Sequence, residues 1–183
     1  NLALASMSTN AIIIAMVFIM YRLARKSAWP RAHWGLVINP GWRREVAEAL
    51  GLSALMIGFI AVLKYVLIET VPRFADVPML DSPFFGARPL TRVDIIFTLS
   101  YCLLAPVQEL VTRGFLQTAF EDFFERNRYR APLAILVSNL MFATNHAHLD
   151  PWFAVMAFAP GLVWGVFYLR SRSLLAVGIS HAI

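Results

Sequence analysis

Charge is what this sequence has least of. Its 183 residues are 15% charged and 59% hydrophobic, with a mean hydropathy of +0.64. A soluble domain of this length usually carries about 25% charged residues. Cysteine is nearly absent: Cys102 is the single one. That excludes an intrachain disulfide, and its apolar neighbours make it a packing residue. There is no internal repeat, no low-complexity run and no HExxH zinc helix, so a metal site would have to be assembled between helices. The net charge of +5 is spread over loops without an arginine–aromatic pattern. Nucleic acid is therefore not a partner. A chain of this size is one domain.

What is abundant is apolar runs of about 20 residues, long enough to cross a bilayer as helices. Six are readable, at about 3–21, 46–68, 93–120, 131–149, 152–169 and from 173 onward. The fold class is all-α, a polytopic transmembrane helical bundle. The chain starts at Asn1 and its sixth run is still apolar at Ile183, so it is expected to continue beyond both ends.

The loops carry the orientation. Arg22, Arg25, Lys26, Arg31, Arg43 and Arg44 follow the first run. Arg126, Arg128 and Arg130 follow the third, and Arg170 and Arg172 follow the fifth. These three loops lie on one side and hold eleven of the sixteen basic residues, against Arg73, Arg88 and Arg92 on the other. The positive-inside rule puts the eleven in the cytoplasm and the N-terminus outside. Trp29, Trp34, Trp42 and Trp152 sit near run ends, as an interfacial belt does. The loop over about 69–92, with Pro72, Pro78, Pro83 and Pro89, reads as irregular.

Few polar residues remain inside the runs: Lys64, Gln108, Glu109, Arg113, Asn139, Asn145, His146 and His181. An ionisable group at depth costs a few kcal/mol, faces the bundle interior and is a functional candidate. Glu109 and Arg113 are four apart, so they share a helix face and can pair. Such a pair can also serve packing alone. Asn139, Phe142 and His146 fall on one face of the fourth run. His148, two residues on, points elsewhere and reads as an outer-end residue. Lys64 has no evident partner and can snorkel. Measured from the cytoplasmic ends at about 1.5 Å per residue, Glu109 lies roughly 17 Å deep, His146 roughly 22 Å and His181 roughly 12 Å. All three fall in the middle of a hydrocarbon core about 30 Å thick. A carboxylate and two imidazoles can activate a water, through a bound metal or by direct base catalysis.

The residues resemble a known family at this point. "QELVTR" at 108–113, "FATNH" at 142–146 and "HAI" at 181–183 are similar, in order and spacing, to the EExxxR, FxxxH and HxxxN motifs of the CPBP family. That family is also called the CAAX protease and bacteriocin-processing, or Abi, family of intramembrane proteases. The resemblance covers about residues 93–183, a catalytic core following N-terminal helices and loops over 1–92, with its third motif cut short at Ile183. It implies a helical-bundle endopeptidase whose glutamate activates water with help from His146. His181 and the asparagine of the third motif would stabilise the oxyanion, and Arg113 would orient the acidic residue. The catalytic set it implies is Glu109, His146, His181 and Arg113. The same Glu109, His146 and His181 would hold a divalent metal such as zinc if one is used. It also implies an integral protein of a bacterial plasma membrane, with the lipid bilayer and a membrane-associated protein or peptide substrate as partners.

One departure matters. The first glutamate of the family motif is Gln108 here, and glutamine takes no proton at neutral pH. Glu109 is then expected to take over. Two alternatives stand beside the protease: a non-catalytic membrane interaction or immunity protein on the same bundle, and a small transporter with a carboxylate–histidine relay. The transporter predicts paired half-repeats, which the sequence does not have.

Overall fold

The computed structural model describes residues 2–79, 90–147 and 151–183, with the side chains of the first helix described from residue 14 onward. His148, Pro83, Arg88 and Pro89 lie outside the described residues. The six runs appear as six helices: α1 (Leu2–Lys26), α2 (Trp42–Thr70), α3 (Arg92–Phe123), α4 (Arg130–Thr144), α5 (Pro151–Ser171) and α6 (Leu174–Ala182). Among the described residues, α2, α3 and α5 are long and apolar enough to cross a membrane. The fourth run, expected as a span over 131–149, is a shorter helix that ends at Thr144. Fifteen residues reach only about 22 Å, less than a hydrocarbon core of about 30 Å.

The bundle wears its apolar residues outside. Leu55, Phe59, Phe97 and Leu103 are all more than 60% exposed, whereas the largest fully buried side chains include Arg113, Gln117, Glu109 and Asn139. In lipid this is the stable arrangement, because tails solvate leucine and cannot solvate a guanidinium. α6 is central: it packs against both α2 and α3, while α4 packs against α5 and the C-terminal half of α3.

Helix α3 is built in three parts. Thr91 caps it, its hydroxyl accepting from Asp94 N at 3.3 Å while Asp94 Oδ2 accepts from Thr91 N at 2.9 Å. An α-helical stretch, Arg92–Glu109, contains Pro106, which has no N–H to donate. A π-helical stretch, Leu110–Gln117, follows, and Thr118–Phe123 is α-helical again. The wide turns have a consequence for which residues face inward. In an α-helix every fourth residue drifts by about 40° from the one before. The π turns unwind that drift, and Ala105, Glu109, Arg113, Gln117 and Glu121 all remain buried.

The three basic loops meet at one end of the bundle. His33, in the turn Arg31–Trp34, contacts Asp122 at 2.9 Å. Asn39 donates to Ser171 O at 3.2 Å and to Glu45 Oε1 at 2.9 Å, and Arg170 pairs with Glu48 at 2.6 Å. Arg172 pairs with Glu121 and lies over the Tyr168 ring. Gly35 lets the first loop approach this assembly: its φ is +70°, and a Cβ there would sit 2.8 Å from the Tyr168 hydroxyl and 3.1 Å from Leu174 Cγ. Gly35→Ala should therefore lower the unfolding free energy by at least about 1 kcal/mol, from the left-handed backbone alone. A thermal melt in detergent equal to the wild type would show that the loop does not dock there.

Candidate active site

Glu109 and Arg113 form the pair their spacing suggests, with Arg113 Nε 3.1 Å from Glu109 Oε2 and both side chains fully buried. The other carboxylate oxygen, Oε1, accepts from His181 Nδ1 at 2.7 Å. Arg113 Nη2 donates to Asn139 Oδ1 at 3.3 Å, and Asn139 Nδ2 donates to Phe158 O at 2.8 Å. The guanidinium also lies 5.7 Å above the Phe142 ring. Four helices thus hold one ionic cluster: α3 supplies Glu109 and Arg113, α4 supplies Asn139 and Phe142, α5 a carbonyl, and α6 His181.

The cluster depends on room left by α5. A Cβ at Gly161 would stand 1.9 Å from Asn139 Oδ1. A Cβ at Gly165 would stand 2.8 Å from Ile135 Cγ2 and 3.3 Å from both Arg113 Nη1 and Gln117 Oε1. These two glycines are a GxxxG pair, the spacing that lets membrane helices approach closely. Gln117 uses that proximity, donating to Gly165 O at 3.0 Å.

His181 is held on every side. Its ring stacks on Trp164 at 4.1 Å and meets Phe142 edge-on at 5.8 Å. Tyr101 OH donates to the His181 carbonyl at 3.1 Å. Below it, Trp164 Nε1 donates to Ser180 Oγ at 3.1 Å, and Ser180 Oγ lies 2.9 Å from Ser53 Oγ of α2.

His146 is placed differently. It sits in the turn after α4, and its Nδ1 donates to the Phe142 carbonyl at 2.8 Å, one of the carbonyls that a helix end leaves without an amide. Its ring meets Phe142 at 4.7 Å. His146 lines a cavity of about 160 Å³ together with Gln108, Thr112, Phe142 and Asn145. Gln108 and Glu109, adjacent in sequence, are about 100° apart on the helix, so Gln108 faces the cavity while Glu109 faces the cluster.

The structure therefore brings Glu109, Arg113 and His181 together and sets His146 apart, on the cavity with Gln108. Among the described residues no three His, Cys, Asp or Glu side chains converge as metal ligands. Among the described residues, the donors expected to hold a metal are not gathered around one point. Both Glu109 oxygens are engaged, by Arg113 and by His181 Nδ1, and His146 approaches the Phe142 ring that also contacts His181. Sequence reasoning missed Gln117, Glu121 and the Ser53–Ser180–Trp164 chain. The four-residue repeat from Glu109 onward and the glycine spacing at 161 and 165 were the available signals.

Two substitutions test this geometry. Arg113→Ala should strand Glu109 and cost about 3–5 kcal/mol, as for breaking a buried pair; an unchanged melting temperature would mean the pair contributes nothing. Gly161→Ala should displace Asn139, and the two sites should couple. Asn139→Ala should cost at least about 0.5 kcal/mol less in the Gly161→Ala background than in the wild type. Strict additivity would show that the two side chains do not compete for space.

Helices α3 to α6 carry this cluster, and the same part of the chain is the part with known relatives. Residues 91–183 match the Rce1-like family, described as type II CAAX prenyl endopeptidase Rce1-like. No curated protein and no solved structure matches the chain. The matched stretch is half of the 183 residues and contains every residue of the ionic cluster, so the chain belongs to the Rce1-like, type II CAAX prenyl endopeptidase family, a family of proteases.

Proposed function

We propose that the chain is an intramembrane endopeptidase that hydrolyses a peptide bond of a membrane-associated protein or peptide, with the attacking water held between Gln108 and His146. The observation that carries this reading is that both side chains line one half-open cavity between α1, α3 and the end of α4. His146 Nδ1 donates to a carbonyl, so Nε2 is the basic nitrogen of the neutral ring. As the water oxygen bonds to the substrate carbonyl carbon, its proton passes to Nε2. The negative charge goes to the former carbonyl oxygen. When the C–N bond breaks, Nε2–H returns the proton to the leaving nitrogen. Gln108 accepts a hydrogen bond from the water through its carboxamide oxygen and orients it.

In this reading Glu109, Arg113 and His181 are positioning residues. They fix the helix from which Gln108 projects and the Phe142 backbone to which His146 is tied. The route contains no metal step. Peptide cleavage by the reconstituted protein, scored on a library of membrane peptides, tests it. His146→Ala should lower kcat/KM at least about a hundredfold, and Gln108→Glu, which adds a carboxylate beside the imidazole, should keep or raise activity. Wild-type cleavage by His146→Ala would sink the mechanism. If no variant cleaves any peptide, Gln108→Glu included, a non-catalytic membrane interaction protein replaces the protease.

The same proposal includes orientation. The basic end of the bundle faces the cytoplasm, in a bacterial plasma membrane, by the positive-inside rule. A cysteine at position 25, introduced as Arg25→Cys after Cys102→Ser, should resist a membrane-impermeant thiol label in intact cells. Ready labelling would invert the topology.

A further inference from the structure

A second cavity, of about 600 Å³, lies at the basic end between the C-terminal turns of α1 and the loop that follows. Tyr21, Arg25, Trp29, Arg31 and Trp34 are among its lining residues, and none of the residues lining it is acidic. A smaller cavity of about 240 Å³, lined by Arg22, Arg25 and Lys26, shares Arg25 with it.

The approach to the cavity is apolar. Ile14, Phe18 and Tyr21 are 69%, 61% and 55% exposed and, with Arg25, recur at the spacing of one helix face. Arg25 lies 5.9 Å over the Tyr21 ring, and Arg22 lies 6.0 Å over the Phe18 ring. One face of α1 therefore runs from hydrocarbon contact to guanidinium within a few turns, and ends at a cavity lined by Arg25 and Arg31. The matching ligand has an anionic oxygen headgroup and an alkyl tail.

We infer that this cavity is a binding site for an anionic phospholipid, whose phosphate is held by Arg25 and Arg31 while an acyl chain lies along Ile14, Phe18 and Tyr21. The tail stripe favours a lipid over a soluble phosphate. The site is separate from the cavity of Gln108 and His146, and the inference does not depend on peptide cleavage. It does touch the C-terminal half: Trp34 packs on Phe115 of the π-helical stretch, ring centroids 5.3 Å apart.

Native mass spectrometry of the full chain, released from mixed phosphatidylcholine–phosphatidylglycerol nanodiscs, tests it. The wild type should retain phosphatidylglycerol in preference to phosphatidylcholine. At about 1 kcal/mol for each basic residue near a headgroup, the double variant Arg25→Gln/Arg31→Gln should bind phosphatidylglycerol about thirtyfold more weakly. The control is Arg126→Gln/Arg128→Gln, at the same end but outside the cavity. Equal loss in that control would show diffuse attraction to the surface and overturn the site. Displacement of the lipid by inorganic phosphate would assign the cavity to a soluble anion and overturn the lipid.

Discussion

The guanidinium of Arg113 is the contact on which the C-terminal half depends. It bonds to Glu109 on its own helix and to Asn139 on α4. It lies over Phe142 and beside the backbone of Gly165 on α5, and through Glu109 it reaches His181 on α6. An apolar set of the same volume, replacing Arg113 together with its buried partners, would be about as compatible with a stable bundle. What it could not do is choose a packing. In lipid one apolar helix face is as good as another, whereas a buried guanidinium is tolerable only where its carboxylate and amide partners converge. The cluster makes one arrangement of α3, α4, α5 and α6 much better than its neighbours.

That demand explains the unusual backbone of α3. A regular α-helix would carry Glu109, Arg113, Gln117 and Glu121 progressively around its surface, by about 40° at each step, and deliver some of them to lipid. The π-helical stretch keeps them in one file. Pro106, just ahead of it, already leaves one carbonyl without an amide partner, and it packs closely on α6, where a Cβ at Gly178 would stand 3.2 Å from the Pro106 Cβ. Gly161 and Gly165 supply the facing surface. The polar file, the wide turns and the glycine pair are three parts of one solution, and each is needed because the file is polar.

Much of this was readable from residue order. The six helices, the pairing of Glu109 with Arg113, and the shared face of Asn139 and Phe142 follow from apolar length and from spacings of three and four, whereas His146, expected on that face, lies in the turn beyond Thr144. The family resemblance rests on the same residues. What the sequence hid depends on departures from regular geometry. Equal steps of about 100° make the four-residue repeat from Glu109 drift around a regular helix, so the repeat hints at Gln117 and Glu121 without placing them beside Glu109. Depth alone suggested that Glu109, His146 and His181 converge. Depth does not fix the angle about each helix axis, however, and it is angle that sends Glu109 to His181 and His146 to Gln108. The fourth helix is also shorter than expected: past Thr144 the sequence turns polar at Asn145 and His146, and the backbone turns there.

The separation of Gln108 from Glu109 has a chemical consequence. One peptide bond apart in sequence, they occupy different environments: a fully enclosed ionic cluster for the carboxylate, and a cavity wall for the amide. A carboxylate with both oxygens engaged is already committed to its partners, and withdrawing it to serve a water would expose Arg113 in a medium that cannot solvate it. Neutral glutamine can sit on the cavity wall without that penalty. His146 is then the titratable side chain among the residues lining that cavity, and it is anchored through Nδ1 to a backbone carbonyl that the cluster holds still. In the proposed mechanism the proton moves through His146, and the cluster of Glu109, Arg113 and His181 keeps that wall in place.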